Sequence, residues 1–270
     1  MSSAPSVPLE DRGLSYGDGV FETFALCDGV LLGLERHLQR LRLGCFRLGF
    51  AAPSPQQIDA ALAPACTQPG RAVVKLVVTR GSGGRGYRPP PRPCPAVYVS
   101  RHAWPDGIDA LRTQGIEAVI LAARVADNPA LAGFKHLNRL EQVLASMELA
   151  RTPAAHEGVV TAPDGRIVSG VMSNLFLLLD DELITPCLRR CGVDGIIRAA
   201  VLELAAAGRL PPVTVRDVTV QELEGAAEVF MTNSVRGLLP VRSMGARQLR
   251  VAGPVVRAVR AALDQSGLLA

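Results

Sequence analysis

The sequence predicts a two-domain α+β protein, and three observations predict it. Strand and helix periods follow one another in mixed order, without the regular β–α alternation of a doubly wound sheet. A length of 270 residues accommodates one large or two modest domains, and 48% hydrophobic with 20% charged residues suits a soluble globular chain with a real core. Trp104-Pro105-Asp106-Gly107 then reads as a break between two sets of elements. The expected organisation is a smaller α+β domain over residues 1–104, a linker over 105–114 and a larger α+β domain over 115–270.

Residues 1–20 are rich in turn formers, among them Asp11-Arg12-Gly13 and Gly17-Asp18-Gly19. Residues 20–26 alternate well enough for a strand, Cys27-Asp28-Gly29 turns and 30–32 return, which is a hairpin signal. Over 34–48, Leu34, Leu38, Leu41 and Cys45 recur at helical spacing, and Ser54-Pro55 has the cap-then-proline form of a helix start. Residues 72–79 and 96–100 are rich in β formers. Between them lie Arg80-Gly81-Ser82-Gly83-Gly84-Arg85-Gly86-Tyr87 and a proline-rich patch to Pro95. Such a stretch is either a plain long connection or, with arginines and a tyrosine among the glycines, a loop that binds an anion. Beyond the break, strands are expected over 116–122, 157–161, 167–168, 174–179, 182–185, 213–218 and 228–232. Helices are expected from Asn138 to about 150, over 195–207 and over 254–263. Along the first of these, Leu137, Leu140, Val143, Leu144 and Met147 form an apolar stripe expected to press on a core.

Bulk properties exclude several classes. Net charge is only +4 and the arginines are scattered, which argues against a nucleic-acid arm while leaving cations for an acidic metabolite. The six cysteines form no C-x-x-C pair, and Cys187 and Cys191 lack a partner pair elsewhere, so no metal site is expected. The N-terminus is polar and no apolar run reaches membrane-spanning length. The expectation is a cytoplasmic protein with reduced thiols, no membrane segment and no nucleic-acid partner.

The chain is organised around Asn128-Pro129-Ala130-Leu131-Ala132-Gly133-Phe134-Lys135-His136-Leu137-Asn138-Arg139-Leu140-Glu141-Gln142-Val143-Leu144. Asn-Pro opens a turn, Gly133 permits a bend, and Lys135 sits on the approach to the helix instead of on its wet face. A lysine there is either a solvated residue that snorkels or an amine held in a pocket, its pKa lowered by desolvation and ready to form a Schiff base. Composition invites a closer look at the second. Lys75 and Lys135 are the only lysines among 29 basic residues, the rest being arginine.

This segment resembles the lysine segment of the 4-amino-4-deoxychorismate lyases, which are fold-type IV pyridoxal-phosphate (PLP) enzymes of D-amino acid aminotransferase-like architecture. The resemblance continues through Gly17-Asp18-Gly19-Val20-Phe21-Glu22-Thr23, His37-Leu38-Gln39-Arg40-Leu41, the 80–87 loop, Ser173-Asn174-Leu175-Phe176, Cys191-Gly192-Val193-Asp194-Gly195-Ile196-Ile197-Arg198 and Thr232-Asn233-Ser234. Each is weak alone; in order they cover roughly residues 11–242. The resemblance implies PLP bound in the cleft between domains, a homodimer, and conversion of 4-amino-4-deoxychorismate to 4-aminobenzoate and pyruvate. It makes Lys135, in the larger domain, the Schiff-base lysine and later the acid and base. It gives Thr23 a part in the proton transfers and Arg40 a grip on the cofactor phosphate. Gly195, Ile196 and Ile197 would add a helix N-terminus to that phosphate, and Asn233 with Ser234 a second turn. Asn138 either orients the ring hydroxyl or caps the helix. Arg85 and Tyr87, with Arg80, are candidates for the substrate carboxylates, whereas His37 and His136 read as structural.

One departure stands out. Fold-type IV enzymes place a glutamate five residues before the asparagine of Asn-Leu-Phe, against the pyridine nitrogen, and here that position is Ser169. A neutral serine offers only a hydrogen bond, so the electron sink is weaker, which elimination tolerates better than transamination. The alternatives are a fold-type IV aminotransferase for D- or branched-chain amino acids and, further off, a non-catalytic PLP-binding homologue.

Overall fold

A computed structural model describes residues 6–251 and 253–270. Contacts divide the chain into Met1–Trp104 with Phe134–Arg139, and Pro105–Gly133 with Leu140–Ala270.

The first unit is a four-stranded antiparallel sheet with helices. Its elements are α1 (Arg12–Tyr16), β1 (Gly19–Cys27), β2 (Val30–Leu31), α2 (Leu34–Arg47), α3 (Pro55–Leu62), a 3₁₀ turn (Ala63–Cys66), β3 (Arg71–Thr79) and β4 (Ala96–Ala103), in sheet order β2-β1-β3-β4. Strands β1 and β3 pair from Gly19↔Thr79 to Cys27↔Arg71. Strand alternation sends Val20, Glu22, Phe24 and Leu26 to the buried face with Val74, Leu76 and Val78, where α2 contributes Leu38, Leu41 and Cys45. Phe21 and Thr23 take the opposite face, with Lys75 directly across from Thr23. Helix α3 opens with a reciprocal cap between Ser54 and Gln57.

Phe134–Arg139 lies alongside β1 in this unit. The Phe21 N–H donates to the Lys135 carbonyl at 2.9 Å and the Leu137 N–H to the Gly19 carbonyl at 3.0 Å. Gly44, inside α2, makes room for this segment: a Cβ there would lie 2.8 Å from Val20 and 3.2 Å from the Phe134 ring. The contacts thus assign Lys135 to the smaller unit, whereas the sequence reading placed it in the larger domain.

The second unit holds α4 (Ile108–Gln114), β5 (Ile116–Arg124), α5 (Leu140–Leu149), β6 (Glu157–Thr161), β7 (Ile167–Gly170), β8 (Asn174–Leu179), β9 (Glu182–Pro186), α6 (Ile196–Ala206), β10 (Val213–Arg216), α7 (Val220–Gly225), β11 (Glu228–Asn233), β12 (Gly237–Met244), β13 (Arg247–Gln248) and α8 (Pro254–Gln265). The mixed sheet runs β10-β9-β8-β11-β12-β5-β6-β7, with β13 on β12. Alternation separates two cores. Leu175, Leu177, Val229 and Met231 pack on one face with Val218 and Leu223. Phe176 and Phe230, stacked at 4.8 Å, meet Ile197, Val201, Val256 and Val259 of α6 and α8 on the other. No helix among the described residues is long and apolar enough to cross a membrane.

Two expectations change, and one strand is added. The 105–114 stretch is no plain linker, because α4 occupies most of it. Strand β12, central in the sheet, escapes a sequence reading because Pro240 demotes its run; the proline precedes Val241, where pairing with β5 begins, so its missing N–H interrupts nothing on that side. Helix α5 starts at Leu140, two residues late, and its stripe points outward: Leu140, Val143, Leu144 and Met147 are exposed, and only Ala145 is buried. Period reveals that a helix has an apolar face, not which partner covers it.

Candidate active site

The centre of the first unit's site is Lys135. Its side chain is partly buried, and Nζ lies 4.3 Å from the centroid of the Phe21 ring. Burial is the main reason the amine is pulled from the ordinary 10.5 down to about 7; the charges of Arg40, Arg139 and Lys75 act in the same direction and Glu22 opposes them. An amine largely deprotonated near neutral pH is both a nucleophile and a base. Beside it His136 is buried and held neutral, burial lowering its pKa to about 4.

Beneath β1 lies a buried charge cluster. The Glu22 carboxylate accepts Arg40 Nε at 2.8 Å, Arg40 Nη2 at 2.5 Å and His37 Nδ1 at 2.6 Å. Burial alone would raise the Glu22 pKa, but Arg40 and His37 together hold it below the ordinary carboxylate value. The His37 pKa is lowered too, chiefly by burial and against the pull of Glu22, so the ring stays neutral as a donor to Glu22. Arg40, expected on a phosphate, is therefore tied bidentately to Glu22, and its charge reaches Lys135 as a Coulombic push on that amine. Glu22 sat inside a quoted motif without a role; only the fold brings it to Arg40, 18 residues away.

The glycine-rich loop is held from an unexpected side. Arg12, 3% exposed, donates to the carbonyls of Gly86 at 3.1 Å and Tyr87 at 2.9 Å and to Asp18 at 2.9 Å. Arg80 donates to the same Asp18 carboxylate at 2.7 Å and to the Leu48 carbonyl at 2.6 Å, so it is a structural tie and not a free substrate ligand. Arg85 and Tyr87 remain exposed on the loop, Tyr87 edge-on to Tyr16 at 5.6 Å. Asn138 neither caps α5 nor is buried: its Nδ2 donates to the Gly17 carbonyl at 3.1 Å.

The second unit gathers a polar cup at the ends of β8 and β11, where Asn174 pairs with Thr232. Asn174 Nδ2 donates to the Val193 carbonyl at 2.9 Å, fixing the loop into α6. A Cβ on Gly195 would fall 2.0 Å from Asn174 Oδ1, so only glycine fits there. Gly195 caps α6 without a side-chain bond, and the first intrahelical bond is Ala199 N–H to Gly195 O, which leaves the Ile196 and Ile197 N–H groups open. Asn233 shapes the turn expected with Ser234: Oδ1 accepts the Val235 and Arg236 N–H groups at 3.0 and 2.7 Å, and Nδ2 donates to Ser173 at 3.2 Å. Flanking that turn are two buried atoms without partners, Thr232 Oγ1 and Arg236 Nη1. An open helix N-terminus with two orphaned donors suits a phosphate monoester, so these residues fit PLP. The sequence reading missed Arg236, whose only signal was its place two residues after Ser234.

Ser169 donates to the adjacent Gly170 carbonyl at 2.8 Å. Nearby Glu157, fully buried at the start of β6, accepts Ser173 Oγ at 2.8 Å and the Val171 N–H at 3.1 Å. Burial raises its pKa against those bonds and the charge of Arg236. A charged first letter in an otherwise apolar strand was the signal available for it.

Residues 19–244 match the family model described as amino-transferase class IV. Aminodeoxychorismate lyase of Vibrio harveyi is 34% identical over 94% of this chain and 93% of its own. The crystal structure of 4-amino-4-deoxychorismate lyase from Pseudomonas aeruginosa superposes with a TM-score of 0.89 at 42% identity, covering 97% of this chain and 96% of that one. The branched-chain-amino-acid aminotransferase of Escherichia coli K12 is 30% identical over 95% of this chain and 86% of its own.

Proposed function

The chain belongs to the class IV aminotransferase family, and on that premise we propose that it is a PLP-dependent lyase converting 4-amino-4-deoxychorismate to 4-aminobenzoate and pyruvate. The observation that carries this reading is Lys135, a partly buried amine with its pKa near 7. The likeness to the two lyases, together with the 80–87 loop pinned by Arg12, supports elimination over amino transfer.

When bound, PLP supplies a carbonyl that condenses with amines and a ring that withdraws electrons. Its phosphate would be held by the Ile196 and Ile197 N–H groups, Thr232, Ser234 and Arg236. Lys135 Nζ takes the proton from the ring carbon that bears the substrate amine, its low pKa keeping it unprotonated for the task. As that proton leaves, the C–O bond to the enolpyruvyl group breaks, the six-membered ring becomes aromatic, and the departing enolpyruvate takes up a proton at its methylene carbon to become pyruvate. Arg40 helps hold the amine's pKa down and stays a candidate for the phosphate grip, with Glu22 and His37 fixing it in place. Thr23 shares the Phe21 face and is read as assisting the proton transfers. Arg85 and Tyr87 remain the loop's candidates for substrate carboxylates. Ser169 stands where the glutamate would, and its weaker support of the ring nitrogen fits elimination. The exposed apolar face of α5 supports a homodimer, and the composition a cytoplasmic one.

Incubation with 4-amino-4-deoxychorismate should release 4-aminobenzoate and pyruvate in equal amounts, and Lys135→Ala should abolish both. Amino transfer from a D- or branched-chain amino acid to a 2-oxoacid, with neither product formed, would overturn the lyase reading.

A further inference from the structure

A buried carboxylate stands beside the polar cup of the second unit. Glu157 opens β6, a strand whose residues are all buried. Its Oε1 accepts the Gly158 and Val171 N–H groups at 3.2 and 3.1 Å, and its Oε2 accepts Ser173 Oγ at 2.8 Å. No cation is bonded to it among the described residues, and the charge of Arg236 reaches it only through space. Burying such a group carries a desolvation cost that these donors offset only in part, and an apolar side chain would avoid that cost. Gly170 leaves the space it needs: a Cβ there would lie 3.2 Å from the Glu157 carboxyl carbon and 3.3 Å from Ser173 Cβ.

The hydrogen bonds leading away from Glu157 run in one direction. Ser173 has a single hydroxyl proton and gives it to the carboxylate, so its lone pairs face Asn233 Nδ2, which donates to them at 3.2 Å. With its NH2 end fixed there, Asn233 turns Oδ1 to the Val235 and Arg236 N–H groups at 3.0 and 2.7 Å. Arg112 of α4 takes the carbonyls of the same two residues, Nη2 on Val235 at 3.2 Å and Nε on Arg236 at 2.9 Å. The backbone of 235–236 is thus held through both its donors and its acceptors. Thr232 Oγ1 and Arg236 Nη1 are left beside it, buried and without partners.

We propose that Glu157 and Ser173 are positioning residues for the cofactor phosphate: through Asn233 they fix the turn that carries Ser234 and Arg236, without touching the ligand themselves. The inference rests on the reading of this cup as the PLP phosphate site. It gives the buried carboxylate a purpose that an apolar residue could not serve, because only an acceptor at 157 sets the polarity of the Ser173 hydroxyl and, through it, the facing of the Asn233 amide.

PLP and pyridoxal differ by the phosphate, so their dissociation constants on the full-length, PLP-free protein isolate the turn. They are measured on wild type, Ser173→Ala, Glu157→Gln, Asn233→Ala and the Ser173→Ala/Asn233→Ala double variant, with urea unfolding alongside. Glu157→Gln keeps the shape but leaves a buried donor unmet whichever way its amide faces. Either Nε2 meets the Gly158 and Val171 N–H groups, or it takes a Ser173 lone pair and strands the hydroxyl proton. Ser173→Ala and Glu157→Gln are each expected to weaken PLP about threefold to tenfold, as for one lost buried hydrogen bond, and to leave pyridoxal unchanged. Because the relay runs through Asn233, adding Ser173→Ala to Asn233→Ala should weaken PLP no further. Equal losses for PLP and pyridoxal, or lower unfolding stability with PLP affinity intact, would show that the cluster only holds the sheet together and would overturn the inference. Additive losses in the double variant would overturn it as well. A wild-type protein that binds pyridoxal as tightly as PLP would instead sink the phosphate cup, and the inference with it.

Discussion

Removing both partners of the Glu22–Arg40 pair should destabilise the protein by clearly less than the two single removals added together. Glu22 is 1% exposed and Arg40 10%, so neither charge has much access to water. Breaking a buried pair by deleting one ion costs about 3–5 kcal/mol, because the survivor stays buried and unpaired. Arg40→Met belongs in that range. Glu22→Leu belongs at its top or above, since His37 loses its acceptor as well and an unmade buried hydrogen bond adds about 1–3 kcal/mol. The double variant removes both charges and should cost less than the two singles added, by up to about 3 kcal/mol. Urea unfolding of the PLP-free protein at neutral pH, followed by circular dichroism, measures all four corners of the cycle. Acid supplies a second arm. Glu22 is held below the ordinary carboxylate value, so its stabilising effect is present above that value and disappears as pH falls through the lowered one. The wild type should show this acid-dependent loss and the double variant should not. Single losses under about 1 kcal/mol that simply add would mean the pair behaves like a solvent-screened surface bridge, and the account of Arg40 would fail.

Lys135→Met should stabilise the PLP-free protein, because the native state holds this amine near 7 against 10.5 in the unfolded chain. The wild-type penalty is fully present below pH 7 and shrinks as pH rises towards 10.5, so the gain in melting temperature must shrink over the same window; a pH-independent gain would contradict the shift. Arg236→Met and Thr232→Val should raise the dissociation constant for PLP, Arg236→Met by about tenfold or more, and leave that for pyridoxal, which lacks the phosphate, unchanged; equal losses for both ligands would remove these residues from the phosphate cup. Ser169→Glu should raise amino transfer to a 2-oxoacid relative to lyase turnover, and unchanged rates for both would end the argument that serine there disfavours transamination.

Much of the fold was legible because it depends on local chemistry. The Ser54 cap, the Cys27-Asp28-Gly29 hairpin and the alternating run of β1 are each written within a few residues. Lys135 stood out by scarcity and by its place before a helix. What the sequence reading lacked is set by long-range approach. Arg12 reaches Tyr87 across 75 residues, and Glu22 meets Arg40 only after β1 folds against α2. Arg40, Arg80 and Asn233 were recognised as polar and well placed, but whether such a side chain meets a ligand or another residue depends on neighbours that no motif records. Strand β12 was masked by its proline, and the outward face of α5 by a period that does not distinguish inside from outside.

Strand β12 also dictates the order in which the larger sheet can be completed. It lies between β11 and β5, joining β5-β6-β7 on one side to β8, β9, β10 and β11 on the other, yet it is the penultimate strand along the chain. During synthesis both flanking groups emerge before the piece that joins them, each with an open edge towards the gap. A nascent chain stalled before residue 237 would therefore hold two unjoined half-sheets, and it is at that stage of translation that a chaperone would find its binding surface.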